Sequence, residues 1–137
     1  MYVSETNIRV RYSETDQMGY VYYGNYPEFY EVGRAEAMRE LGMTYKQMEQ
    51  KGVMMPIASM SIKYLKPAFY DDLLTIRTIV KELPKSRMHF YYEVFNQKKQ
   101  LINKGETVLA FVDMTTGRPC IAPDWFLQAL EKNWGMQ

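Results

Sequence analysis

Residues 12–31 read YSETDQMGYVYYGNYPEFYE, a stretch that brings Asp16, two glycines and the start of a helix close together. Asp16 is followed by Gly19 and then by an aromatic run. That run is too apolar for an ordinary surface loop, and the glycine within it is unfavourable in a strand. The pattern predicts a tight loop that holds a carboxylate beside an apolar pocket and faces the beginning of a helix.

The helix is expected to follow this loop directly. Asn25 and Glu28 have the spacing of a capping box, and Pro27 falls in the first turn, where its missing N–H does no harm. These signals predict a helix that begins near Tyr26 and ends at Gly42. A period of 3.6 places one buried stripe on Tyr26, Phe29, Tyr30, Gly33, Ala37 and Leu41. Its small central residues predict that a sheet packs closely against the helix.

The rest of the chain is mostly extended. Strands are expected at residues 7–12, 53–66, 73–83, 87–96 and 101–114, the last with a bulge at Gly105. A capping-box spacing at Thr44 and Gln47 predicts a short helix over residues 45–51, and another helix is expected from Pro123 to Asn133. Strands joined by short turns pair antiparallel. The prediction is one α+β domain over residues 1–137, with about five antiparallel strands packed around one long helix.

Composition narrows the classes of function. Lys+Arg 17 against Asp+Glu 16 gives a net charge of +1, so bulk attraction to nucleic acid or to an anionic membrane is not expected. No apolar run approaches the roughly 18 residues of a membrane span, and the N-terminus does not resemble a signal peptide. The single cysteine excludes an internal disulfide and favours a cytoplasmic location. Twelve tyrosines and 11 methionines indicate either an adaptable core and subunit interface or a pocket for a flexible apolar ligand.

Few residues could carry out chemistry. One histidine and one cysteine cannot form a usual zinc site, and no calcium-loop, phosphate-loop or dinucleotide motif is present. His89 lies in a strand-like segment without a nucleophile elbow, and Cys120 has only Arg118 as a basic neighbour, so neither is expected to be catalytic. Asp16 remains, either as a turn residue or as an ionised carboxylate that attacks an activated ester or deprotonates water.

Two segments carry a family resemblance. Residues 16–34, DQMGYVYYGNYPEFYEVGR, resemble the active-site signature of the 4-hydroxybenzoyl-CoA thioesterase family, and residues 66–78, KPAFYDDLLTIRT, resemble a second family stretch. The resemblance implies a hot-dog fold, in which the sheet wraps around the central helix. It also implies hydrolysis of an acyl-CoA to a carboxylic acid and coenzyme A, without a metal or redox cofactor.

The resemblance also assigns site residues. The catalytic carboxylate falls on Asp16, and the backbone amide that polarises the thioester carbonyl falls on Tyr23. Substrate contacts are expected from Gly19, Val21, Tyr22 and Tyr26. The coenzyme A nucleotide is expected at Lys85, Ser86 and Arg87, which could equally form an ordinary solvated turn.

Tyr23 is also a departure from the family, because many relatives have a histidine there that could assist proton transfer. The family forms active sites at dimer interfaces, so a homodimer or a homotetramer is expected. An acyl carrier protein is an alternative carrier, for which Lys63, Lys66, Lys85 and Arg87 are candidate contacts. Two other functions remain open: a non-catalytic acyl-thioester-binding module, and a hydratase on the same fold, for which His89 is the only candidate histidine.

Overall fold

The computed structural model describes residues 1–135. Within them lie seven strands: β1 (Tyr2–Arg9), β2 (Val53–Met54), β3 (Ile57–Tyr64), β4 (Leu73–Val80), β5 (Arg87–Phe95), β6 (Leu101–Asp113) and β7 (Arg118–Cys120). The helices are α1 (Tyr26–Glu40), α2 (Tyr45–Gln50) and α3 (Asp124–Lys132), with 3₁₀ turns at Tyr12–Glu14 and Tyr23–Asn25. In this part of the chain, no helix is long and apolar enough to span a membrane.

The sheet confirms the predicted hot-dog α+β fold. Its long strands lie in the order β1-β4-β5-β6-β3, and every neighbouring pair is antiparallel. The short strands β2 and β7 pair antiparallel with the C-terminal end of β6. Neither was predicted as a separate strand. The five long strands therefore match the expected number, and one face of the sheet packs on α1.

Helix α1 lies close to the sheet because glycines make room on both sides. A Cβ at Gly33 would lie 2.6 Å from Thr78 Oγ1 and 2.8 Å from Ile76 Cγ2 of β4. On β6, a Cβ at Gly105 would lie 2.6 Å from the Tyr30 hydroxyl. The predicted close approach is confirmed. The prediction of a bulge at Gly105 is wrong. The shifts in strand register lie between Ile57 and Ser59 in β3 and beside Phe95 in β5.

Two local predictions differ from the structure. The first strand begins at Tyr2, well before residue 7, because its polar residues have partners: Tyr2 and Ser4 both donate to the Glu40 carboxylate at 2.8 Å. The Asn25 side chain does not cap α1, and the chain instead enters the helix through a 3₁₀ turn. The capping box at Thr44 and Gln47 is confirmed.

Candidate active site

The Asp16 loop is held by its own backbone. The Asp16 N–H donates to the Tyr20 carbonyl at 3.1 Å, and the Gly19 N–H donates to the Asp16 carbonyl at 2.9 Å. Gly19 has a φ of +84°, a conformation that residues with a Cβ rarely adopt. The turn therefore requires glycine for backbone reasons, apart from any contact with substrate.

The Asp16 carboxylate is half-buried and only partly used within the loop. Its Oδ1 accepts a hydrogen bond from the Met18 N–H at 2.9 Å. A carboxylate has about four lone-pair sites, so this bond leaves capacity for a water molecule or a substrate. Asp16 can therefore be oriented by the loop and still react.

A second connection ties the loop to the β3–β4 segment. Val21, only 3% exposed, donates its N–H to the Ala68 carbonyl at 2.8 Å and bridges to Thr15. Its side chain forms part of the core, which makes Val21 an anchor of the loop.

Tyrosines surround the entry to α1. Tyr23 lies in the 3₁₀ turn that leads into the helix, and the Tyr64 hydroxyl donates to its carbonyl at 3.0 Å. Tyr26 is buried against the rings of Tyr64 and Phe29, whose centroids lie 5.5 and 5.4 Å away. Burial raises the pKa of Tyr26 to about 12, and a hydrogen bond to Tyr23 raises the pKa of the exposed Tyr22. At neutral pH the Tyr22 and Tyr26 phenols are proton donors, not bases.

A pocket of about 220 Å³ opens beside Asp16. Its other lining residues are Met18, Tyr20, Val21, Tyr23, Tyr64 and Pro67. The structure thus brings together the two residues assigned to catalysis, Asp16 and Tyr23, in a mostly apolar wall. As the first residue of a 3₁₀ turn, Tyr23 has an N–H without a partner inside that turn, because the first N–H groups of a helix have none.

The candidate nucleotide-binding residues lie elsewhere in the same chain. Lys85, Ser86 and Arg87 are exposed and line a separate pocket of about 360 Å³. Arg87 begins β5, whereas the Asp16 pocket lies near the other end of that strand, where Val94 pairs with Asn103 and Asn103 with Tyr64. Seven residues at about 3.3 Å each separate the two ends by roughly 23 Å. A single chain does not bring these residues to Asp16.

The other reactive side chains are also remote from Asp16. His89 lies near the start of β5, beside the Lys85–Arg87 turn. Burial and the nearby Asp113 raise the pKa of the Cys120 thiol, which disfavours the reactive thiolate. Among residues 1–135, no group of three or more His, Cys, Asp or Glu side chains is arranged to hold a metal ion.

Sequence inspection missed two contributors to the site. Tyr64 walls the pocket and holds the Tyr23 carbonyl, and Pro67 forms part of the rim. Both come from the end of β3 and the following loop, about 40 residues beyond Tyr23 in the chain. Residues 66–72, KPAFYDD, were recognised only as a family-like stretch, without a role in the site.

Several known proteins resemble this chain in sequence and in fold. YneP of Bacillus subtilis is 36% identical over 129 residues, covering 91% of this chain and 94% of that protein. The acyl-CoA thioester hydrolase YbgC of Escherichia coli O6:H1 is 29% identical over 116 residues, covering 85% and 87% of the two chains. A crystal structure of a DHNA-CoA thioesterase from Staphylococcus aureus superposes with a TM-score of 0.87 at 34% identity, covering 100% of this chain and 98% of that one.

The sequence profile of one family covers most of the chain. Residues 10–130 match the thioesterase-like superfamily, and this range includes the Asp16 loop, α1 and all strands from β2 to β7. The resemblance seen in the two sequence segments is therefore confirmed across the fold. The chain belongs to the thioesterase-like superfamily.

Proposed function

We propose that this protein hydrolyses acyl-CoA thioesters, with Asp16 as the nucleophile or general base. The observation that carries the proposal is the apolar pocket in which the Asp16 carboxylate and the Tyr23 segment meet at the start of α1. Family membership and the YbgC and DHNA-CoA thioesterase relatives support the reaction class. The products are a carboxylic acid and coenzyme A.

The Asp16 carboxylate can act in either of two routes. In one route it attacks the thioester carbon, the C–S bond breaks, and water then cleaves the acyl-aspartyl anhydride. In the other route it removes a proton from a water molecule that attacks the same carbon. Both routes consume one water and release one thiol and one acid, and neither needs the histidine that Tyr23 replaces.

The Tyr23 backbone N–H is the proposed oxyanion donor. A helix start presents unpaired N–H groups, and one such donor is typically worth about 3 kcal/mol of barrier. The hydrogen bond from the Tyr64 hydroxyl to the Tyr23 carbonyl supports a fixed orientation of this segment. The exposed Tyr22 and Tyr23 rings, 4.5 Å apart, are proposed to wall the path of the acyl or pantetheine chain. The buried Tyr26 ring is proposed to support this wall through Tyr64, which contacts both Tyr23 and Tyr26.

A second copy of the chain is proposed to complete the site. Strand β3 is an edge strand with no buried residue, and it exposes Ile57, Met60 and Tyr64. An apolar edge of this kind is a template for pairing with another strand. If two β3 strands pair antiparallel, the Ile57 end of one meets the Tyr64 end of the other. The Lys85–Arg87 turn of one copy then lies on the side of the other copy's Asp16 pocket.

This arrangement supports a homodimer as the smallest active unit, alone or within a homotetramer. Lys85, Ser86 and Arg87 would hold the coenzyme A phosphates from across the interface. An acyl carrier protein remains an alternative carrier, and the exposed Lys63 and Lys66 near the Asp16 end are its proposed contacts. The proposed location is the cytoplasm, where acyl-CoA is available.

The direct test is thiol release from a panel of acyl-CoAs. Asp16→Asn is expected to lose the activity. The matched control is Asp113→Asn, because Asp113 also accepts a backbone N–H two residues on, from Thr115 at 2.8 Å, in a turn remote from the pocket. Wild-type protein that releases no thiol from any acyl-CoA or acyl carrier protein would leave the binding module as the better function. Full activity in Asp16→Asn would refute the role of Asp16.

Mixed dimers test the shared site. Asp16→Asn and the double variant Lys85→Ala/Arg87→Ala are each expected to be impaired, the latter mainly in KM for acyl-CoA and little for an acyl-pantetheine without the nucleotide. In a mixed dimer, one of the two sites then has a wild-type Asp16 and a wild-type turn, so activity on acyl-CoA should recover. If each site were built within one chain, mixing would restore nothing.

A further inference from the structure

The two ends of the Asp16 loop are joined by one side chain. Asn25 Nδ2 donates to the Glu14 carbonyl at 2.7 Å. Glu14 lies two residues before Asp16, and Asn25 lies two residues after Tyr23. This single amide therefore spans the segment that contains both proposed reacting groups.

The acceptor of this bond is itself held firmly. The Glu14 carbonyl also accepts the Tyr22 N–H at 2.9 Å. The Glu14 carboxylate, with a side chain 8% exposed, accepts the Arg11 backbone N–H at 2.7 Å and pairs with the Arg11 guanidinium at 3.2 Å. Asn25 thus donates to a carbonyl that cannot easily move away.

Asn25 is freed for this bond because it does not cap the helix. Its backbone is already in the helical region, with φ −85° and ψ −16°, and its side chain makes no hydrogen bond to the N–H groups of α1. Because the Asn25 side chain binds the Glu14 carbonyl and not an N–H group of α1, it helps to fix the Asp16 loop relative to the start of the helix.

We propose that Asn25 is a positioning residue, which holds the Asp16 carboxylate in register with the Tyr23 amide by binding the Glu14 carbonyl. The inference rests on the proposed function, since it assumes that these two groups act on one thioester. A displacement of about 1 Å can cost about 10²-fold in rate, so loss of this bond is expected to lower kcat strongly.

The test compares Asn25→Ala and Asn25→Asp with Asn133→Ala. Asn25→Asp removes the donor without leaving a cavity, and Asn25→Ala removes it without adding a negative charge, so the two variants together isolate the loss of the hydrogen bond. Asn133 is the matched control, because its Nδ2 also donates to a backbone carbonyl, that of Ala129 at 2.8 Å, at the end of α3. Both Asn25 variants are expected to lose about 10- to 100-fold in kcat with KM within about threefold, and Asn133→Ala to change neither.

A double-mutant cycle separates positioning from general damage. In an Asp16→Asn background, measured in single turnovers with excess enzyme, Asn25→Ala should cost less than about threefold more, because the group that it positions is already gone. Amide hydrogen exchange is the second measurement. In Asn25→Ala it should quicken over residues 15–23 and stay unchanged in the middle of α1.

The outcomes are distinct. An unchanged kcat in both Asn25 variants, or a full additional loss in the Asp16→Asn background, would overturn the positioning role. Unchanged exchange over residues 15–23 would do the same, even if Asp16→Asn releases too little thiol to be timed. Full activity of Asp16→Asn alone would instead refute the proposed function.

Discussion

Gly33→Ala tests how closely α1 lies on the sheet, because two effects of opposite sign compete. In a free helix, alanine is favoured over glycine by about 0.5–1 kcal/mol. In this fold the new Cβ would lie 2.6 Å from Thr78 Oγ1 and 2.8 Å from Ile76 Cγ2, and overpacking of a core typically costs about 1–3 kcal/mol. Both neighbours are branched at Cβ and belong to a central strand, so they cannot easily rotate away. We expect a net loss of about 1–2 kcal/mol in the free energy of unfolding.

Urea unfolding followed by circular dichroism, at one fixed protein concentration, measures this change. Ala35→Gly in the same helix is the control for the intrinsic preference, with an expected loss of about 0.5–1 kcal/mol. Thr78→Ala should recover part of the Gly33→Ala loss, because it removes the nearer atom, a buried hydroxyl that has no hydrogen-bond partner among residues 1–135. An increase in the unfolding free energy of the single variant Gly33→Ala would show that α1 and the sheet are not in close contact. That result would refute the packing described above.

Two further predictions concern buried polar groups. Arg34 is buried and forms no ion pair within residues 1–135. Burial raises the pKa values of the Tyr45 and Tyr92 hydroxyls, and the Arg34 guanidinium acts on both and lowers these pKa values in part. Arg34→Met should therefore lower the unfolding free energy by about 1–2 kcal/mol, the typical cost of leaving a buried polar group unpaired, whereas loss of a true buried ion pair costs about 3–5 kcal/mol. Burial raises the pKa of Tyr26 from 10.0 to about 12, so its contribution to stability is complete below pH 10 and is lost as the pH rises to 12. The unfolding free energy of wild type should therefore fall by about 1 kcal/mol relative to that of Tyr26→Phe between pH 9 and pH 11, and curves that stay parallel would contradict the assignment.

Local signals explain why α1 could be predicted well. Pro27 and Gly42 act on the backbone beside them, and the helix does begin at Tyr26 and end just before Gly42. The start of β1 was not predictable in this way. Ser4 is buried, and its hydroxyl donates to Glu40, which lies 36 residues further along the chain. A polar residue whose partner is distant looks like a surface residue in the sequence.

The site shows the same division. Asp16, Gly19 and Tyr23 belong to one short segment, so their proximity follows from the chain itself. The bond from Asn25 to Glu14 could not be inferred, because the capping-box spacing suggested another use for that side chain. The distance from Asp16 to the Lys85–Arg87 turn within one chain depends on strand register, which is not encoded in a local pattern.

The most direct test of the central claim separates substrate binding from chemistry at Asp16. Wild type, Asp16→Asn and Asp113→Asn would be compared for acyl-CoA affinity and for thiol release in a single turnover with excess enzyme. Asp16→Asn is expected to bind acyl-CoA within about threefold of wild type while thiol release falls by at least about 10³-fold, and Asp113→Asn should match wild type in both. Thiol release by Asp16→Asn within about tenfold of wild type would contradict the claim that this carboxylate performs the reaction.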